Sequence, residues 1–317
     1  LMLLVLLVRR PVGRWFGPAA AYALWALPMI RLFLPPLVLP EQAAVRPEFA
    51  LSPTIANTFA ADAPPAFADV PPADVAMAML PPEPVSQIPW GTILLAIWLG
   101  GAVLFLVHRT IGYRAMRREL LRDARQVGSA GKVRIVESSA VVAPLAFGVF
   151  DKVVALPEGF LANADSDASD FAIAHELEHH AANDLAANIA VQPLFALHWF
   201  NPIAWLAWRA LRSDQEAACD ARVVRDCGRA ERERYGRLIA SFAGGPRLAL
   251  AAPMAGVLRG EKPIIHRLKA LVRNDVSERR RLLGRSLFAA AIIGVPMTAT
   301  ITYAAVEAQG PEDVPPA

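Results

Sequence analysis

The sequence predicts a membrane protein of the α+β class, mainly helical, with four transmembrane helices and one small β-sheet. Three observations predict it. Hydrophobic residues make up 55% of the 317 and charged residues only 19%, and the mean hydropathy is +0.36, more apolar than a soluble domain of this length. Residues 88–107 form an uncharged run long enough to cross a bilayer. Between 133 and 156, short β-like runs precede a polar, helix-forming stretch. The formal net charge of +3 is small and gives no ground for expecting direct nucleic-acid binding.

Residues 1–8 are apolar but too short to cross, and Arg9, Arg10 and Arg14 follow them, the reverse of a signal peptide. Because the chain opens on Leu, a first span cut short upstream is expected. Residues 15–39 read as a second span, interrupted by Arg31, Pro18, Pro28, Pro35 and Pro36. The third is 88–108 and the fourth 286–305, preceded by Arg279, Arg280, Arg281 and Arg285. Arginine placement sets the orientation. The Pro/Ala-rich loop 41–87 holds Arg46 against Glu41, Glu48, Asp62, Asp69, Asp74 and Glu83, so it should face outward. Segment 1–40 then carries the first two spans, 109–285 is a cytoplasmic domain, and 306–317 is a short outward tail.

Within that domain, 109–126 reads as a basic helix meeting anionic headgroups. Runs at 133–136, 140–142 and 152–156 read as strands, with Gly148 and Asp151 at a turn. Such a sheet offers an edge for an extended peptide. Asp165, Asp167 and Asp170 supply capping groups for a helix over about 170–183. Residues 185–208 carry no formal charge but contain Pro193 and Pro202. A crossing there would part the chain on either side of it, and Arg222, Arg225, Arg229, Arg232 and Arg234 argue against that. The stretch is therefore expected as two helices bent at 198–202, buried against the membrane or dipping into it. Cys219 and Cys227 sit eight apart on one expected helix, too far for a disulfide, and read as free thiols.

His175-Glu176-Leu177-Glu178-His179 is the sharpest motif. On a helix, residues four apart share a face, so both imidazoles can reach one Zn2+, and Glu176 can reach a water beside it. A catalytic zinc site needs a third protein ligand. The best candidate is Glu216, with Asp220 four residues on along the same face. One would bind zinc and the other would accept a hydrogen bond from a ligand histidine. Cys219 is a competing third ligand, and His180 points away around the helix. Asp184 reads either as a group orienting a ligand or as a helix-end charge, and His198 as a buried histidine. Arg212 and Arg222 are candidates for stabilising an oxyanion.

The 175–179 motif with Asp184, the run 197–202 and the run 216–220 together resemble the BlaR/MecR-type membrane zinc metallopeptidases, as do 144–148, 156–159 and 31–36. The resemblance covers roughly residues 10–305. It implies that His175, His179 and Glu216 bind zinc, that Glu176 is the general base, and that a gluzincin-like domain lies between the third and fourth spans. It also implies a multi-pass protein of the bacterial cytoplasmic membrane that cleaves a cytoplasmic winged-helix repressor, itself, or both. The short tail at 306–317 leaves no room for a penicillin-binding sensor, and self-cleavage would fall within 277–286. Two further classes are weighed: a quality-control membrane peptidase of the Ste24/HtpX group, and a non-catalytic receptor or scaffold with structural zinc. The lipid bilayer is an expected partner in each case.

Overall fold

The computed structural model describes residues 1–34, 37–39, 89–163, 166–244, 265, 267–269, 271, 276–295 and 301–303. The expected loop 41–87 and tail 306–317 lie outside the described residues. Two compact units are present: 1–35 with 95–299, and 36–94 with 300–317.

In the larger unit the chain opens with three helices, α1 (Met2–Phe16), α2 (Pro18–Ala23) and α3 (Ala26–Phe33). Gly17 breaks the first two with φ of +95°, and Pro18 starts the next helix. The expected span 15–39 is therefore not one helix. Its apolar residues are folded into short pieces whose Trp25, with Met2 and Val5, packs into a core formed with Val191, Phe195 and Ala207.

Helix α4 (Trp90–Arg122) is, among the described residues, the one helix long and apolar enough to cross a membrane. At 1.5 Å per residue it is about 50 Å long, so it outruns a ~30 Å hydrocarbon core by several turns. Leu94, Ile97, Val103 and Leu104 stand exposed along its apolar part.

The last turns of α4 pack on a four-stranded sheet: β2 (Arg125–Ala130), β3 (Val133–Ser138), β4 (Leu145–Phe147) and β5 (Val153–Pro157), in the order β2-β3-β5-β4. Strand β5 is fully covered because both its faces are used. Val153 and Ala155 meet Met116 and Leu120 of α4, while Val154 and Leu156 meet Ile173 and Leu177 on the other side. The expected strand at 140–142 is a turn region, and the strand forms at Leu145–Phe147 instead. Strand β2 lies where a helix was expected to continue to 126. Gly148, at φ +84°, turns the chain between β4 and β5 as expected.

After α5 (Phe160–Asn163) comes α6 (Ser166–Ala181), which starts four residues before the expected helix. Next are α7 (Asp184–Ala190), α8 (Gln192–Leu197) and α9 (Pro202–Val223). The bend at 198–201 is the expected one: Asn201 caps α9 by accepting the Ile203 N–H at 2.9 Å, and Pro202 begins the helix. Trp98 of α4 donates to Leu197 O (2.8 Å) and Trp199 donates back to Trp98 O (3.2 Å). The bend thus lies beside the middle of the apolar half of α4. Helix α10 (Arg229–Gly244) follows, and Cys227 sits in the turn before it, so Cys219 and Cys227 are not on one helix; both are free. Of the expected span 286–305, residues up to 294 belong to α11 (Glu278–Gly294), and 296–300 and 304–305 lie outside the described residues.

In the smaller unit, β1 (Leu37–Leu39) pairs in parallel with β6 (Ile301–Tyr303). The β-branched residues Ile301 and Thr302 thus take extended backbone where a spanning helix was expected.

Candidate metal centre

His175 and His179 lie one turn apart on α6, with ring centroids 4.8 Å apart. The chain leaves α6 through Asn183, at φ +56°, a conformation asparagine tolerates well. This reversal starts α7 at once and turns Asp184 back to His179, whose Nδ1 is 2.8 Å from Asp184 Oδ2. The same oxygen accepts from Arg222 at 2.8 Å. An ionised carboxylate only accepts, so the proton of His179 sits on Nδ1 and leaves Nε2 with a lone pair.

His175 is oriented by a longer chain of bonds. Its Nδ1 is 2.8 Å from the Tyr235 hydroxyl, which donates to Asp220 Oδ1 at 2.7 Å. Asp220 is fully buried and receives two bonds of 2.7 Å from Arg267. Because Tyr235 gives its proton to Asp220, its oxygen accepts from His175 Nδ1–H, and Nε2 is again left with a lone pair. Tyr235 is held by Val224, Ile239 and Leu271 around it and by Phe171, whose ring centroid is 5.5 Å away.

Both free nitrogens face one carboxylate on α9. Glu216 Oε2 is 3.4 Å from His175 Nε2, and Oε1 is 3.7 Å from His179 Nε2. Burial opposes the ionisation of Glu216, and the Arg267 guanidinium, 3.6 Å from Oε2, favours it. Two lone pairs and a carboxylate converging without a proton between them call for a cation. The spacing fits, since two ligands ~2.05 Å from a tetrahedral zinc ion stand about 3.3 Å apart.

His175, His179 and Cys219 also make a set close enough to hold a metal. The Glu216 set is the better one on chemistry. The Cys219 sulfur lies 3.6 Å from His175 Nδ1, the nitrogen committed to Tyr235, and donates to His175 O at 3.5 Å. Burial pushes its thiol far up, and the Glu216 and Asp220 carboxylates push the same way, so the thiolate form is disfavoured.

Glu176 sits beside this cluster. Its Oε2 accepts the Ala146 N–H of the edge strand β4 at 2.7 Å. Burial raises its pKa to about 7, with the Glu216 carboxylate adding to the rise and the Ala146 N–H opposing it. A carboxyl balanced near neutrality can both take and return a proton.

The other sequence candidates fall outside the cluster or at its rim. His180 lies 3.1 Å from Val153 O and ties α6 to β5. His198 bonds Leu194 O at 2.8 Å. Arg212 reaches Glu216 at 3.4 Å, and Arg222 is divided between Glu178 and Asp184. Tyr235 and Arg267 were not anticipated, because nothing in their local sequence sets them apart.

A profile of the BlaR1 peptidase M56 family matches residues 1–271. The chain is 25% identical over 161 residues to the methicillin resistance mecR1 protein of Staphylococcus aureus and that of Staphylococcus epidermidis, covering 46% of this chain and 28% of each relative. It is 27% identical over 111 residues to the regulatory protein BlaR1 of Bacillus licheniformis, covering 35% of this chain and 18% of that one. The matches thus span under a third of the relatives' lengths. With the profile running over most of its residues, the chain belongs to the BlaR1 peptidase M56 family.

Proposed function

We propose that this chain is an integral-membrane zinc endopeptidase of the signalling type, which hydrolyses a peptide bond in a cytoplasmic repressor, in itself, or in both. The observation that carries it is the convergence of His175 Nε2, His179 Nε2 and the Glu216 carboxylate beside Glu176. The family match and the regulatory name of the Bacillus relative support the signalling class. The arginines after residue 108 support a cytoplasmic face for 109–285.

In this reading His175, His179 and Glu216 would hold zinc, which would polarise a carbonyl and acidify water. The substrate lies extended along β4, the edge strand beside Glu176. Glu176 takes a proton from the attacking water, whose oxygen joins the carbonyl carbon. The same carboxyl then delivers that proton to the amide nitrogen as the C–N bond breaks. Asp184 and Tyr235 keep each imidazole in the tautomer that leaves Nε2 unprotonated.

The test is metal analysis of the detergent-purified full chain, then incubation of wild type and Glu176→Ala with a panel of winged-helix repressors, with self-cleavage followed on the same gels. Zinc in both proteins and fragments from wild type alone are expected. Absence of zinc from both, or equal fragments from both, would overturn the proposal.

A further inference from the structure

A second polar group stands in an apolar setting at the end of the membrane-length part of α4. A shallow cleft enclosing about 20 Å³ is lined by Phe105, Arg109, Phe195, Trp205 and Trp208, with Gln192 and His198 at its sides. Arg109 is the first arginine after the uncharged run of α4. Its guanidinium lies over two aromatic rings, 5.3 Å from the Trp208 centroid and 6.0 Å from that of Phe105. Its Nε donates to Gln192 Oε1 at 3.3 Å. Among the described residues no carboxylate pairs with Arg109 and its Nη groups find no acceptor. The charge that acts on it is another cation, Arg212. A guanidinium has five N–H donors, so most of its capacity is unspent.

We propose that the mouth of this cleft binds the headgroup of an anionic phospholipid, the phosphate on Arg109 and the first part of an acyl chain against Phe105 and Trp205. Charge complementarity selects the anion, since no carboxylate among the described residues pairs with Arg109 and the charge acting on it is that of a second guanidinium, Arg212. Depth selects the lipid. The cleft joins the apolar and the arginine-bearing parts of α4, where glycerol and phosphate lie in a bilayer. Its enclosed space of about 20 Å³ has room for one water-sized group, so it takes a phosphate oxygen beside Arg109 and leaves the glycerol and the chains outside, in the membrane.

The test is native mass spectrometry of the detergent-solubilised full chain given phosphatidylglycerol or phosphatidylcholine. Wild type should retain phosphatidylglycerol preferentially, and Arg109→Gln should weaken retention about tenfold, the size expected for losing one charge-assisted contact. Arg114→Gln, on an exposed arginine of the same helix, should leave it unchanged. Equal loss in both variants would mean diffuse attraction to basic surface and overturn the proposal. So would displacement of the lipid by inorganic phosphate, which would mark a free-anion site. Where Arg109→Gln does not fold, wild type decides: phosphatidylglycerol with brominated acyl chains should quench tryptophan emission more than brominated phosphatidylcholine, and equal quenching would refute the site.

Discussion

Replacing Glu176 by Gln removes an ionisable group while keeping its shape, and its effect on stability should depend on pH in one direction only. In the folded protein burial raises this carboxyl from 4.5 to about 7. That preference for the neutral form amounts to about 3 kcal/mol, and to about 1–2 once solvent reaching the partly exposed side chain is allowed for. The sign follows from proton counts. Below 4.5 both the folded and unfolded chains hold the proton, and the group costs nothing. Between 4.5 and about 7 the unfolded chain releases it first, so wild type loses stability as pH rises. Above about 7 the loss is complete. Metal-free wild type and Glu176→Gln should therefore melt together near pH 4.5, and the variant should be the more stable by pH 8. Melting in detergent with a chelator present, from pH 4.5 to 8.5, reads the difference directly. Parallel curves across that range would show that Glu176 is not held in a desolvated site, and the basis for its role as a proton carrier would go with it.

Three further predictions concern its surroundings. Tyr235→Phe removes the hydroxyl between His175 Nδ1 and Asp220. Zinc affinity, measured by competition with a chromophoric chelator, should fall about 10–100-fold, and unchanged affinity would separate Tyr235 from the metal centre. Arg267→Gln strips the fully buried Asp220 of its bidentate partner. Denaturant unfolding should show a loss of about 3–5 kcal/mol, and a loss under about 1 kcal/mol would mean the pair is not formed. Gly101→Ala would drive a methyl into the Trp199 indole. It should lower the melting temperature by the equivalent of about 1–3 kcal/mol, and Trp199→Ala in the same chain should recover most of it. No recovery would mean the 198–201 bend does not rest on α4.

The zinc motif was legible because it is local. Helical spacing alone puts His175 beside His179 and Glu216 on the same face as Asp220, and both helices formed. Asp184 was legible only as an alternative, since choosing it required the left-handed turn at Asn183 that points it back. Tyr235 and Arg267 were not legible at all. Tyr235 is 60 residues from His175 and Arg267 is 47 from Asp220, and only tertiary packing joins them. The sheet shows the same division. β5 announces itself as a continuous apolar run, whereas β2, with Val127 as its single large apolar residue, exists because β3 offers it a ladder. At 15–39 hydropathy measures how apolar the stretch is, not that Gly17 turns the chain between two helices.

These contacts make α9 the element on which the centre is built. Glu216, Asp220 and Arg222 leave it within two turns, and each fixes a different part of α6: Glu216 faces both imidazoles, Asp220 orients His175 through Tyr235, and Arg222 orients His179 through Asp184. The same helix is tied to the N-terminal helices. Asp214 accepts from Arg9 at 2.6 Å and from Trp25 at 2.9 Å, and Gln215 bonds the Tyr22 hydroxyl at 2.7 Å. Gln215 also donates to Asp184 O at 3.2 Å. A displacement of α1 or α2 along α9 would thus strain the bonds at 214 and 215, next to the carboxylate at 216 that faces both histidines. Rigid groups at successive positions of one helix cannot move independently, so movement at the N-terminal helices and the geometry of the metal centre are physically coupled.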